Sequence, residues 1–249
     1  MNIIAHRGYS DLAPENTFSS FDLAVLKGFK IFELDVQLTK DNIPIIFHDY
    51  DLKRICKLDL LIKNIEYKFL SKLDVGSWFD KKYSDQKIPT FESILKKYNN
   101  QVHLQIELKS HEKELANVVI NKLKKMNWYN IDGKAYEVPG YSITSFDFNN
   151  LVNVRELSKS IRVGWLLSID RENIKSIKNK LVEFNINMII PNVNDEIWGD
   201  VNLINQFKDE GYLLCAWGAK TIIDVENMNR INIDGMTVDW PEKALKATL

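Results

Sequence analysis

Four short signals, His6-Arg7-Gly8, Pro14-Glu15-Asn16-Thr17, Glu33-Leu34-Asp35 and His48-Asp49, each end an apolar run, and Glu107-Leu108-Lys109 repeats the alternate-residue pattern further on. Imidazoles titrate near neutrality, so His6 and His48 suit general base and general acid work. Side chains two apart on a strand share a face, which points Glu33 with Asp35 and Glu107 with Lys109. Three carboxylates in one small volume repel unless something neutralises them, and a hard divalent cation with oxygen ligands does so directly. Arg7 offers a planar fork of donors for phosphate oxygens, and Lys109 adds positive charge where negative charge develops. The set suits metal-assisted cleavage of a phosphate ester. Either histidine fits either proton-transfer role, whereas His103 and His111 fit no such constellation and read as structural or surface residues.

Something must hold these residues at one rim. Short β-branched or aromatic runs alternate with stretches of helical period along the chain. The strands expected are Asn2 to His6, Ile31 to Gln37, Val102 to Lys109, Tyr141 to Ser145, Arg162 to Leu167, Asn187 to Pro191, Tyr212 to Trp217 and Gly235 to Val238. Helical stretches lie between them: Glu15 to Lys27, Thr90 to Tyr98, Glu112 to Lys125, Phe148 to Ser158, Glu172 to Phe184, Val201 to Asp209 and Ile222 to Met228. Eight such strands argue for a closed (β/α)8 TIM barrel, an α/β fold whose strand ends converge on one mouth. Taken alone, Glu33-x-Asp35 is ordinary on an exposed strand face. An inner barrel strand offers solvent only at its ends, which turns the pair toward the mouth.

One segment breaks the repeat. Asp41-Asn42 is a turn signal between apolar runs, so Leu38 to Asp49 reads as a hairpin that returns His48 to the rim. Residues 50 to 89 then form an excursion too short for a second globular core and are expected to act as a cap. The whole of 1–249 thus reads as a single catalytic barrel with an inserted segment at about 50–89.

With 249 residues, 45% hydrophobic and 27% charged, the chain suits one barrel with a substantial core. A net charge of -1 gives no argument for nucleic acid or an anionic membrane as partner. No window approaches the length of a membrane span, and the first residues run straight into a strand, so a cytoplasmic protein without a signal peptide is expected. Cys56 and Cys215 form no CxxC motif and are expected to be free thiols.

Together these motifs resemble the glycerophosphodiester phosphodiesterases, as do Gly76-Ser77-Trp78-Phe79 and Ile88-Pro89-Thr90, and the resemblance extends over essentially the whole chain. It implies a TIM barrel with a segment inserted after the second strand. It further implies Ca2+ or Mg2+ on Glu33, Asp35 and Glu107, with His6 and His48 as the acid/base pair and Arg7 and Lys109 on the phosphate. The course it implies is attack by the neighbouring glycerol hydroxyl to give a cyclic phosphate, which water opens to glycerol 3-phosphate. Small-molecule substrates such as glycerophosphocholine or glycerophosphoethanolamine follow.

The chain departs from the family pattern at three places. Trp217-Gly218-Ala219-Lys220 replaces a Trp-Thr-Val-Asn type run, leaving Trp217 as a pocket wall. Asp51-Leu52-Lys53-Arg54-Ile55 follows His48-Asp49 where Arg-Thr-Thr is common, and Thr237-Val238-Asp239-Trp240-Pro241 varies the usual ending. These changes bear on head-group choice. Glu15 and Asn16 open a helix, so capping or rim hydrogen bonds explain them as well as substrate contact does.

Two other functions share this barrel. A lysophospholipase D-like enzyme would need an apolar rim, for which Phe69, Trp78 and Phe79 are the candidates and cap packing the simpler explanation. A non-catalytic phosphoglycerol-binding barrel would need charge for phosphate but not two imidazoles.

Overall fold

The computed structural model describes residues 1–128, 135–170 and 172–249. Its strands are β1 (Asn2–Ala5), β2 (Ile31–Leu38), β3 (Pro44–Ile46), β4 (His103–Leu108), β5 (Gly140–Ser145), β6 (Val163–Leu167), β7 (Met188–Pro191), β8 (Leu213–Ala216) and β9 (Gly235–Val238). β3 runs antiparallel along β2, and the other eight form a parallel ring that β1 closes by pairing with both β2 and β9. The fold is a TIM barrel, as the alternation predicts.

Among the described residues ten helices accompany the strands: α1 (Phe18–Leu26), α2 (Lys53–Cys56), α3 (Tyr67–Leu70), α4 (Phe91–Lys97), α5 (Leu115–Lys125), α6 (Phe148–Leu157), α7 (Ile174–Glu183), α8 (Val201–Asp209), α9 (Ile222–Ile231) and α10 (Pro241–Lys246). α10 is absent from the sequence reading, because six residues are too few to show a helical period. α1 starts at Phe18 because Thr17 and Ser20 cap it reciprocally. Pro14, Glu15 and Asn16 therefore lie outside the helix, free to face the mouth.

Apolar residues form two layers around the ring. Phe32, Leu34 and Val36 of β2 and Leu104, Ile106 and Leu108 of β4 join the core beneath the helices, with Phe21 stacked on Phe32 at 4.9 Å. The alternate positions face inward, where Ile4, Leu166, Met188, Ile190 and Cys215 fill the barrel. Glu33, Asp35, His103, Gln105 and Glu107 occupy the same inward positions and are all buried. In the register of the two strands, Asp35 stands opposite Glu107 and Glu33 opposite Gln105.

The excursion is more ordered than its length suggests. It holds α2, α3 and two short 3-10 turns over a satellite core of Leu52, Ile55, Ile62, Leu70, Val75 and Ile88, shared with Ile45 and Phe47 of the hairpin. None of residues 50–89 is among those lining the cleft at the mouth, although Tyr50 Oη donates to the Lys109 carbonyl at 2.9 Å.

Candidate active site

The β1–α1 turn is built around backbone that few residues tolerate. Gly8 lies at φ +82°, and a Cβ there would sit 2.5 Å from Ser20 Oγ and 2.8 Å from Phe21 N. Arg7 is itself left-handed at φ 54°, a strained conformation for a residue with a side chain. The turn aims the Arg7 amide at Glu33 Oε2 (3.1 Å) and brings its guanidinium to Glu15 (2.9 Å) and Asp35 (3.2 Å).

Glu33, Asp35 and Glu107 each offer an oxygen within 4.8 Å of the others. Glu33 Oε1 and Asp35 Oδ1 are buried and accept no hydrogen bond. Lys109 Nζ lies 2.7 Å from Glu107 and 3.6 Å from Asp35. Burial disfavours charge on all three carboxyls, yet the outcomes differ. Burial, with Asp35 and Glu107 beside it, pushes Glu33 well above the usual carboxylate range. Burial and Asp35 likewise raise Glu107. At Asp35 the burial penalty is outweighed by Arg7 and Lys109, which hold it at about 2. An orphaned, all-oxygen donor set of this kind fits a hard divalent cation.

His6 and His48 reach the same cleft, each backed by an aspartate. Nδ1 of His6 lies 2.6 Å from Asp239 Oδ1, and Nδ1 of His48 lies 2.7 Å from Asp49 Oδ1. An ionised carboxylate only accepts, so each Nδ1 carries the hydrogen and each Nε2 is left for chemistry. Burial, reinforced by Arg7, lowers the His6 pKa against the pull of Asp239. Asp239 stays at about 2 despite burial, because His6 and Ser10 hydrogen-bond to it.

The cleft is about 330 Å³, and every residue proposed from the sequence for catalysis, phosphate or pocket wall lines it: His6, His48, Arg7, Lys109 and Trp217. Glu33 and Glu107 line it too, and Asp35 lies beneath them, fully buried. Trp217 follows β8 and meets Phe146 edge-on at 5.0 Å. His103 is buried at the opposite end of β4, and His111 is exposed on the rim beside Tyr50 and Asp147.

Four further residues complete the site. Asn16, 3% exposed and left-handed at φ 57°, donates from Nδ2 to Asp35 Oδ2 at 2.7 Å. Glu15 bridges Arg7 to Arg54, which binds it through both terminal nitrogens (2.8 and 2.7 Å). Arg54 Nε also holds Asp49, the partner of His48, at 2.7 Å. Asp239 orients His6 from the end of the last strand. The Pro14-Glu15-Asn16 motif pointed to two of these, but helix capping accounted for it equally well. Arg54 and Asp239 lie within two of the segments, 51–55 and 237–241, that depart from the family's motifs.

Trp78 packs edge-on against Phe79 (5.8 Å) and beneath Arg54 (5.5 Å), so cap packing accounts for that part of the aromatic cluster. Among the described residues no helix is long and apolar enough to cross a membrane. Cys56 and Cys215 are free, and burial pushes the Cys215 thiol up to about 12.

Comparison with known proteins finds relatives over nearly the whole chain. The sequence model of the glycerophosphoryl diester phosphodiesterase family matches residues 6–243. Bacillus subtilis YhdW is 31% identical over 253 residues, covering 99% of this chain and 97% of its own. A glycerophosphodiester phosphodiesterase of Caldanaerobacter subterraneus is 27% identical over 241 residues, covering 96% of this chain and 94% of its own. The solved structure of an Oleispira antarctica phosphodiesterase, in complex with its product sn-glycerol-3-phosphate, superposes with a TM-score of 0.88 at 29% identity, over 99% of this chain and 96% of that one.

Proposed function

Because the chain belongs to the glycerophosphoryl diester phosphodiesterase family, we propose that it hydrolyses glycerophosphodiesters to glycerol 3-phosphate and the head-group alcohol, with His6 and His48 moving the protons. The observation that carries the reading is two aspartate-backed imidazoles sharing one cleft with a buried, unsatisfied carboxylate cluster. The product held by the similar Oleispira enzyme supports the same substrate class.

Glu33, Asp35 and Glu107 would hold Ca2+ or Mg2+, which when bound would neutralise the phosphate and acidify the glycerol hydroxyls. His6, kept neutral by burial and Arg7, takes the proton of the glycerol hydroxyl next to the phosphate. The freed oxygen attacks phosphorus while His48 gives its proton to the departing head-group oxygen. The product of this step is a cyclic glycerol phosphate. In the second step His48 takes a proton from water, whose oxygen attacks phosphorus. The ring P–O bond breaks, and His6 returns its proton to the glycerol oxygen. Arg7 and Lys109 border the cleft and supply positive potential to the phosphate oxygens. Trp217 walls the pocket.

The test is release of glycerol 3-phosphate from glycerophosphoglycerol by purified protein with Ca2+, Mg2+ or chelator, beside His6→Ala. Metal-dependent release that the variant lacks is expected. A folded protein inactive with either metal would contradict the reading.

A further inference from the structure

The two halves of the cleft differ in charge. The ends of β9 and of β1 to β4 carry the carboxylates, the histidines, Arg7 and Lys109. Around the ends of β5 to β8 the lining is Phe146, Leu166, Asn192, Asn194, Trp217 and Lys220. Lys220 is the one charged side chain among these six, and its ammonium forms no ion pair with any described residue. Asp224, the acidic residue nearest in sequence, is committed to the backbone N–H groups of Lys220 (2.9 Å) and Thr221 (2.8 Å) at the start of α9.

A second donor points the same way. Asn192 Oδ1 accepts from the backbone N (3.0 Å) and Nδ2 (3.1 Å) of Asn194, which fixes the amide orientation. Its Nδ2 finds no acceptor among the described residues. Gly218, at φ +87°, makes room for it, since a Cβ there would lie 2.6 Å from that nitrogen. The replaced run at 217–220 therefore removes a side chain where Asn192 needs space and adds a lysine to the lining of the same cleft.

From this the geometry points to an anionic head group, a phosphate- or carboxylate-bearing alcohol, as the preferred leaving group, with Lys220 as the residue that selects it. The inference rests on the phosphodiesterase reading above and narrows its substrates. A quaternary ammonium is held by aromatic faces. Here the Phe146 ring already carries Lys109 Nζ at 5.6 Å, and the described lining of this half supplies no carboxylate. Choline would meet Lys220 with like charge. A phosphate would meet it with opposite charge and take a hydrogen bond from Asn192.

Three substrates separate the cases: glycerophosphoglycerol with a terminal phosphate, glycerophosphoglycerol itself, and glycerophosphocholine, compared by kcat/KM with metal saturating. The phosphate-bearing substrate is expected to lead and choline to trail. Lys220→Met should lower the phosphate-over-choline ratio about tenfold, the worth of one close charge pair between the bulk-water and protein-surface limits. That change should fall mainly on KM. Lys220→Arg should keep the ratio, Lys220→Glu should invert it, and added salt should shrink it. A ratio unmoved in Lys220→Met, or a wild-type preference for choline, overturns the proposal while leaving the phosphodiesterase reading intact. No turnover of any of the three overturns that reading, and this one with it.

Discussion

β4 carries a polar side chain on its inward face at each end, and the two have opposite fates. At the floor, His103 is fully buried, donates from Nδ1 to the Glu137 carbonyl at 3.0 Å, and meets Ser142 Oγ at 3.4 Å. Burial lowers its pKa to about 4, so it sits neutral and satisfied. Four residues on, Glu107 shares its volume with Glu33 and Asp35, and two buried oxygens of that trio accept no hydrogen bond. Both environments are polar, buried and borne by the same strand. The floor has resolved its polarity within the protein, whereas the mouth holds its polarity for something that arrives. Burial and residue type do not separate structure from function here; unpaired capacity does.

Breaking the mouth should leave the fold and remove the activity. His6→Ala is expected to lower kcat about 10³-fold, the range of a lost general acid or base, with thermal unfolding shifted by no more than a few degrees. Cys215→Ala at the floor should do the reverse, reducing stability with kcat unchanged. Stopped assays paired with calorimetric scans read both.

The floor should also announce itself in acid. Unfolded His103 binds a proton below about 6.5, while the folded residue resists until about 4. The unfolded state therefore gains protons first, and the stability this neutral histidine contributes is lost as pH falls between those values. The loss is about 3 kcal/mol by linkage. Urea unfolding at pH 7 and pH 4 should show that drop in wild type and a smaller one in His103→Asn.

A cation should stabilise only the mouth. At a hundredfold excess over Kd, Ca2+ or Mg2+ is expected to add about 2.7 kcal/mol, or about 8 °C for a chain of this size. Glu33→Gln should abolish the shift. Without metal that variant should be as stable as wild type or more so, because it relieves repulsion with Asp35 and Glu107.

The smallest effect expected lies at Arg54, which touches neither end of β4 but ties Asp49 to Glu15. Arg54→Met should lower kcat about tenfold with KM nearly unchanged, since it loosens the support of His48. Arg54→Lys should recover part of the loss.

The barrel and the mouth were legible in the sequence because both rest on local rules. A period of two places Glu33 with Asp35, and eight repeats of strand and helix demand closure. The unread parts depend on contacts between distant residues. His6 and Asp239 lie 233 positions apart and meet only because β1 pairs with β9. Arg54 sits 39 residues from Glu15, inside an excursion without a repeat to give its path. His103 reads from sequence as structural or surface, and its burial and neutrality follow from the depth of the barrel.

Calorimetric titration of Ca2+ or Mg2+ into chelator-stripped protein tests most directly that the mouth's unpaired carboxylates are a cation site. One ion per chain is expected, lost in Glu33→Gln and Glu107→Gln and kept in His103→Asn. Wild-type protein that binds neither ion, or binding indifferent to those carboxylates, would contradict that claim.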